Sequence, residues 1–136
     1  MKLTNNEIYN YANALLQYFG ADNKMKLPIK VSFFLQKNIK VMTEAAQEID
    51  KVRMEIIQRY GTPAEDGQSY QIPEDKIGVA SAELEELFNI EQNLNIHSFN
   101  LDDFNDIEMT SAETSALLFM IRDEEDLNPP PPSLAE

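Results

Sequence analysis

The apolar positions of this chain fall into blocks of different period. Ile8, Ala12, Leu15, Leu16 and Phe19 recur at the spacing of one helix face and predict a first helix over 5–19. Thr4-Asn5-Asn6-Glu7 in front of it is a capping box: the Thr4 hydroxyl accepts from the Glu7 amide, and the Glu7 carboxylate reaches back. Gly20 stands where a helix C-terminal glycine belongs. Leu27, Ile29, Val31 and Phe33 then alternate with Pro28, Lys30 and Ser32. A period of two predicts a short strand over 27–33, with Pro28 at its start or on an edge. From about 32 to 60 the pattern becomes heptad-like. Leu35, Ile39, Met42, Ala46, Ile49, Arg53, Ile56 and Tyr60 are separated by 4, 3, 4, 3, 4, 3 and 4 residues, and Ala45 and Val52 widen the stripe. Nothing interrupts it before Gly61-Thr62-Pro63. A helix of about 28 residues runs roughly 42 Å, so this seam must meet a returning helix or another chain. Arg53 breaks the seam, and either snorkels outward or pairs with an acid on the partner helix.

Residues 61–72 read as a loop with a tight turn at Asp66-Gly67 and an extended piece at Tyr70 and Ile72. Pro73 suits the first position of a third helix, with Glu74 and Asp75 favourable to its N-terminal dipole. Ile77, Ala80, Leu84, Leu87 and Phe88 place that helix at 74–88, as the return arm against the long one. Leu94 and Ile96 alternate with Asn93, Asn95 and His97 and predict a second strand, paired with 27–33. Leu101, Phe104 and Ile107 suggest a helical turn. Thr110-Ser111-Ala112-Glu113 is a second capping box, opening a helix over 111–122 that is apolar nearly all round and therefore expected to be buried. Residues 123–136 carry an acidic run and then Pro129 to Pro132, a tail expected to be disordered, or polyproline II when bound. The expected fold is α+β, mainly α: a long helical hairpin, two flanking helices and a minimal two- to three-stranded sheet. It forms a single compact domain over 1–122, followed by the tail.

Charge changes this picture. Residues 1–60 hold nine Lys/Arg and six Asp/Glu, whereas 61–136 hold two against eighteen. The net of −13 disfavours nucleic acid and anionic membrane and favours basic partners. Glu74, Asp75, Glu83, Glu85, Glu86, Asp102, Asp103 and Asp106 are the candidate partner-binding acids. Leu35, Ile39, Met42, Ile49, Arg53 and Ile56 are the candidate seam, within the chain or between copies. Lys24, Lys26, Lys30, Lys37 and Lys40 form the basic cluster, expected to neutralise the acidic half.

The chemistry is sparse. The chain has no cysteine, hence no disulfide, thiolate zinc site or cysteine nucleophile. One histidine, His97, gives neither a nucleophile dyad nor an imidazole metal cluster. The acids at 102–108 lack the spacing and glycine of a calcium loop. Pro73-Glu74-Asp75-Lys76 has the acid-plus-lysine content of a metal nuclease, but at a helix start rather than at strand ends. The four glycines are scattered, so no loop cradles phosphate. No apolar run approaches the roughly 18 residues of a membrane span, and the N-terminus turns polar at once. The expectation is a soluble, intracellular, non-enzymatic protein without cofactor or metal.

The order of the pieces carries one resemblance. Leu27-Pro28-Ile29-Lys30-Val31-Ser32-Phe33 leads into the long helix, which ends Ile56-Ile57-Gln58-Arg59-Tyr60-Gly61. Glu85-Glu86-Leu87-Phe88-Asn89-Ile90-Glu91 follows, then Leu94-Asn95-Ile96, then Met109-Thr110-Ser111-Ala112-Glu113 before Phe119-Met120-Ile121. Over about residues 1–121 this resembles a family of small proteins of unknown function encoded by tailed bacteriophages and prophages. The resemblance implies phage origin and residence in the bacterial cytoplasm, and it carries over no functional residue. Two functions fit. One is an acidic inhibitor or modulator of a host defence or nucleic-acid-binding protein. The other is a virion component or assembly chaperone acting through the heptad helix, with phage proteins or a second copy as partner.

Overall fold

The computed structural model describes residues 1–20 and 25–122. Within them the fold is α+β and mainly α. Strand β1 (Lys2–Thr4) leads into α1 (Asn5–Phe19), then α2 (Ile29–Tyr60), β2 (Thr62–Pro63), β3 (Tyr70–Gln71), α3 (Glu74–Asn89) and β4 (Glu91–Asn93). Strand β5 (Phe99–Asn100) runs into a 3₁₀ turn, Leu101–Phe104; α4 (Ser111–Leu117) is followed by a second 3₁₀ turn, Leu118–Met120, and by β6 (Ile121–Arg122). The tail at 123–136 and Lys24 lie outside the described residues.

Both capping boxes form. Thr4 N donates to Glu7 Oε1 at 2.9 Å and Glu7 N to Thr4 Oγ1 at 3.1 Å. Thr110 and Glu113 repeat the exchange at 2.9 and 3.1 Å. Each satisfies amides that the first helical turn leaves open.

The strand expected at 27–33 is helix instead. Ser32 N donates to Pro28 O at 2.9 Å, the opening bond of α2. Val31 is buried, whereas Ile29 and Phe33 are 87% and 56% exposed. Val31 therefore belongs with Leu35, Ile39 and Met42, one turn further up the same stripe. The two-residue alternation was a coincidence of one buried and two exposed apolar side chains. Helix α2 has 32 residues, about 48 Å long.

The second strand also moves. Residues 94–98 are not in a strand; the ladder forms just before them. Strand β4 pairs antiparallel with β1, Leu3 opposite Gln92. Asn5 N to Ile90 O and Leu94 N to Met1 O, 2.8 and 2.7 Å, extend it at both ends. Helix α4 is shorter than expected. Its last turn tightens so that Ile121 can turn extended (φ −102°, ψ 126°), and β6 pairs parallel with β5, Phe99 opposite Ile121. Leu118 is 57% exposed, so that helix is not buried all round.

By packing, the described residues form two compact units. The first takes Met1–Ala12 and Met42–Leu94; the second takes the described part of Asn13–Val41 and Asn95–Glu136. Helices α1 and α2 contribute residues to both.

In the first unit Leu3, Ile8, Ala12, Met42, Ile49, Ile56 and Leu87 are buried. Asn5 is buried with them, and its side chain donates to Leu87 O at 2.9 Å and accepts from Gln92 Nε2 at 2.7 Å. Tyr9 sets its ring edge-on to Phe88, centroids 5.6 Å apart, and donates its hydroxyl to Asp50 Oδ1 at 3.1 Å. Arg53 Nε donates to the same oxygen at 2.9 Å. Arg53 thus finds its acid one turn earlier on its own helix, not on a partner helix. Strands β2 and β3 form a small hairpin whose turn carries Gly67 at φ +70°, a conformation that glycine adopts without steric cost.

In the second unit Leu15, Phe19, Val31, Leu35, Phe99, Leu117 and Met120 are buried. So is the polar Asn38, 1% exposed in the middle of the α2 stripe. Its amide donates to His97 O at 2.9 Å, and its oxygen accepts from His97 N at 2.8 Å. One side chain thereby supplies both bonds that a neighbouring strand would have given His97.

Candidate functional site

Helix α3 is held on a narrow face. Ala80 and Leu87 are buried, and Leu84 and Phe88 half-buried. Pro73 stands at its N-cap with φ −58° and ψ 147°, one position before the place the sequence suggested. On the 100° helical wheel the opposite side carries Glu74, Asp75, Glu85 and Glu86 around the small residues Gly78, Ser81 and Ala82, all exposed. Ile77 and Val79, 48% and 43% exposed, flank this face. Among the described residues no cation lies within ion-pair distance of these four carboxylates.

Glu83 is different. It is half-buried; Arg59 Nη1 donates to Oε1 at 2.8 Å, and the Tyr60 hydroxyl donates to Oε2. This carboxylate joins α2 to α3 and is not available to a partner. Its hydrogen bond pushes the Tyr60 phenol above its ordinary value, with burial adding to the rise.

The remaining acids belong to the second unit. Asp103 Oδ2 accepts from Asn100 N at 2.9 Å and caps the 3₁₀ turn. The carbonyl of Asp102 accepts from Asn105 N at 3.2 Å. Asp106 takes φ +66° in the turn that follows. These residues shape a connector, and the eight acids named from sequence divide between two units.

The candidate seam is buried within the chain. Leu35, Ile39, Met42, Ile49 and Ile56 are each less than a tenth exposed, and Arg53 is tied to Asp50. A stripe already covered cannot also meet a second copy unless the fold opens.

Sequence patterning missed a feature of the second unit. Phe33, Phe34, His97, Phe99 and Phe104 form a run of ring contacts from the exposed Phe33 through the buried Phe99 to the half-buried Phe104. Phe33 meets Phe34 edge-on at 5.2 Å, and Phe34 stacks on His97 at 4.0 Å and 12°. His97 meets Phe99 at 4.8 Å, and Phe99 meets Phe104 at 5.2 Å. Beside them lies a half-enclosed cleft of about 230 Å³ lined by Phe34, Lys37, Asn38, Val41, Asn95 and His97. The available signal was Asn38 itself, an amide on an apolar stripe, which must find partners when buried.

Among the described residues no group of three or more His, Cys, Asp or Glu is placed to hold a metal ion, and no helix is long and apolar enough to cross a membrane. Compared with family models, with curated proteins and with solved structures, the chain matches none.

Proposed function

We propose that this chain is a non-catalytic, phage-encoded binding protein whose α3 face engages a basic surface of a host protein and so inhibits or modulates it. The observation that carries this reading is the open face of α3. Among the described residues no cation lies within ion-pair distance of its four carboxylates, which surround a strip of small side chains that lets another backbone approach. The first unit as a whole holds five Lys/Arg against thirteen Asp/Glu, so its field reinforces the face rather than opposing it. Exposed carboxylates can take the places of phosphates opposite Arg and Lys, which suits a nucleic-acid-binding or defence protein as the target. The sequence resemblance supports the phage origin, and with it action in the bacterial cytoplasm. A virion or assembly role would rest on the heptad stripe, which is buried within the chain, and so draws less support here than binding through the open α3 face.

The test is capture from phage-infected cells with two baits, the wild-type chain and Glu85→Lys/Glu86→Lys. The expected result is a host protein with a basic surface, retained by the first bait, released by about 0.5 M salt as screening shortens the Debye length, and lost from the second. Identical captures by both baits, or retention of phage structural proteins through the salt step, would overturn the reading.

A further inference from the structure

The geometry points to a second binding surface, on the other unit and opposite in sign: the cleft beside His97 takes an apolar or aromatic side chain from an acidic peptide segment of a protein partner. Three observations lead there.

The first is size. A cleft of about 230 Å³ falls below the roughly 300–1,000 Å³ of pockets that hold drug-sized ligands and cofactors, yet it accommodates one amino-acid side chain. The second is lining. Phe34, Val41 and the His97 ring are apolar or aromatic walls, and Asn38 is the buried floor. The Asn38 amide is already spent on the His97 backbone, so the floor asks for no polar group. Its exposed members, Lys37 and Asn95, mark the mouth. Among the described residues no carboxylate lines it.

The third is what lies next to the mouth. Lys37 Nζ sits 5.4 Å from the Phe33 ring centroid, and Ile29 and Phe33 project from the same side of α2. Among the described residues no carboxylate lies within ion-pair distance of Lys30 or Lys37. The whole unit holds six Lys/Arg against eleven Asp/Glu, so the attraction for an acidic peptide is local to Lys30 and Lys37 and not a property of the unit. An exposed apolar ridge, a cationic rim and a one-residue socket form the complement of a peptide that alternates acidic and apolar residues. Single-stranded nucleic acid fits less well, because it needs a longer track of cations to follow its phosphates.

Fluorescence anisotropy on the full chain tests this with three labelled probes. They are the peptide amide Glu-Glu-Phe-Asp-Glu-Leu, the same peptide with Ala for Phe, and an octathymidylate. The expected result is saturable binding of the first peptide, weakened about tenfold by loss of its Phe. Lys37→Glu, an exposed change that leaves the packing alone, and Val41→Trp, which fills the cleft, are each expected to weaken it about tenfold as well, with circular dichroism unchanged for Lys37→Glu. The proposal is overturned if the first peptide does not bind, if the Ala peptide or the Lys37→Glu chain binds as well as the parent, or if the oligonucleotide binds more tightly than the peptide.

Discussion

Asn5 and Asn38 are buried polar side chains, one in each unit, and they serve different kinds of backbone. Asn5 sits at the end of a ladder that already exists. Its main-chain amide continues the β1–β4 pairing to Ile90, and its side chain adds a bond to Leu87 O and one to the Gln92 side chain. Asn38 stands in for a ladder that is missing, since, among the described residues, 95–98 lie in no strand and His97 takes both these backbone bonds from this one amide. A helix side chain can thus complete a segment that reads as a strand but never becomes one. In the first unit the polar group reinforces regular structure; in the second it replaces it.

The largest expected effect separates these two roles. Asn38→Ala leaves the half-buried His97 amide and carbonyl without their partners and should cost about 3 kcal/mol, two groups each at the lower part of the roughly 1–3 kcal/mol range for a stranded group. Asn5→Ala should cost about 1 kcal/mol, since Gln92 can turn to water and Leu87 O keeps its bond from Ile90 N at 3.3 Å. Urea midpoints of both variants at unchanged m-value would check the order. An equal or larger loss at Asn5 would break the comparison.

A smaller effect sharpens the electrostatic side. The Tyr60 phenol must keep its proton to donate to Glu83, and its folded value is raised. The stability it adds is therefore present below the unfolded tyrosine value and fades as pH rises through the raised one. A phenolate absorbance titration should show one tyrosine ionising at lower pH in Glu83→Gln than in the parent. The smallest effect lies in the β2–β3 turn. The amides of Gln68 and Ser69, with the Ser69 hydroxyl, hold the Asp66 carboxyl below its ordinary value. That contribution is present above the unfolded aspartate value, about 3.9, and is lost as pH falls through the depressed one. The Gln68 and Ser69 amide resonances should move with that low midpoint, and Asp66→Asn should abolish the movement.

Much of this architecture is legible in the sequence because local chemistry dictates it. Thr4 with Glu7 and Thr110 with Glu113 announce helix starts through bonds that close within three residues. The seam from Leu35 to Ile56 announces a buried face through its period. What misleads is the short alternation Leu27-Ile29-Val31-Phe33, too brief to distinguish a strand from one helical turn with two exposed apolar residues. The partner of β4 is illegible for a related reason. Lys2-Leu3-Thr4 is too short to carry a period, and its pairing with Glu91–Asn93 depends on chain return. The acids show the same limit: composition identifies eight of them, but only folding tells that Glu83 is tied to Arg59, that Asp103 caps a turn, and that Glu74, Asp75, Glu85 and Glu86 face solvent.

The bond between Asn38 and His97 joins positions 59 residues apart. Closing that loop costs entropy and this side chain returns only two hydrogen bonds, so the contact is expected to form after the folding barrier: Asn38→Ala should speed unfolding more than it slows folding, which the two limbs of a denaturant chevron would check. On that expectation position 38 is a latch on the native state, setting how long a folded molecule lasts rather than how fast it forms.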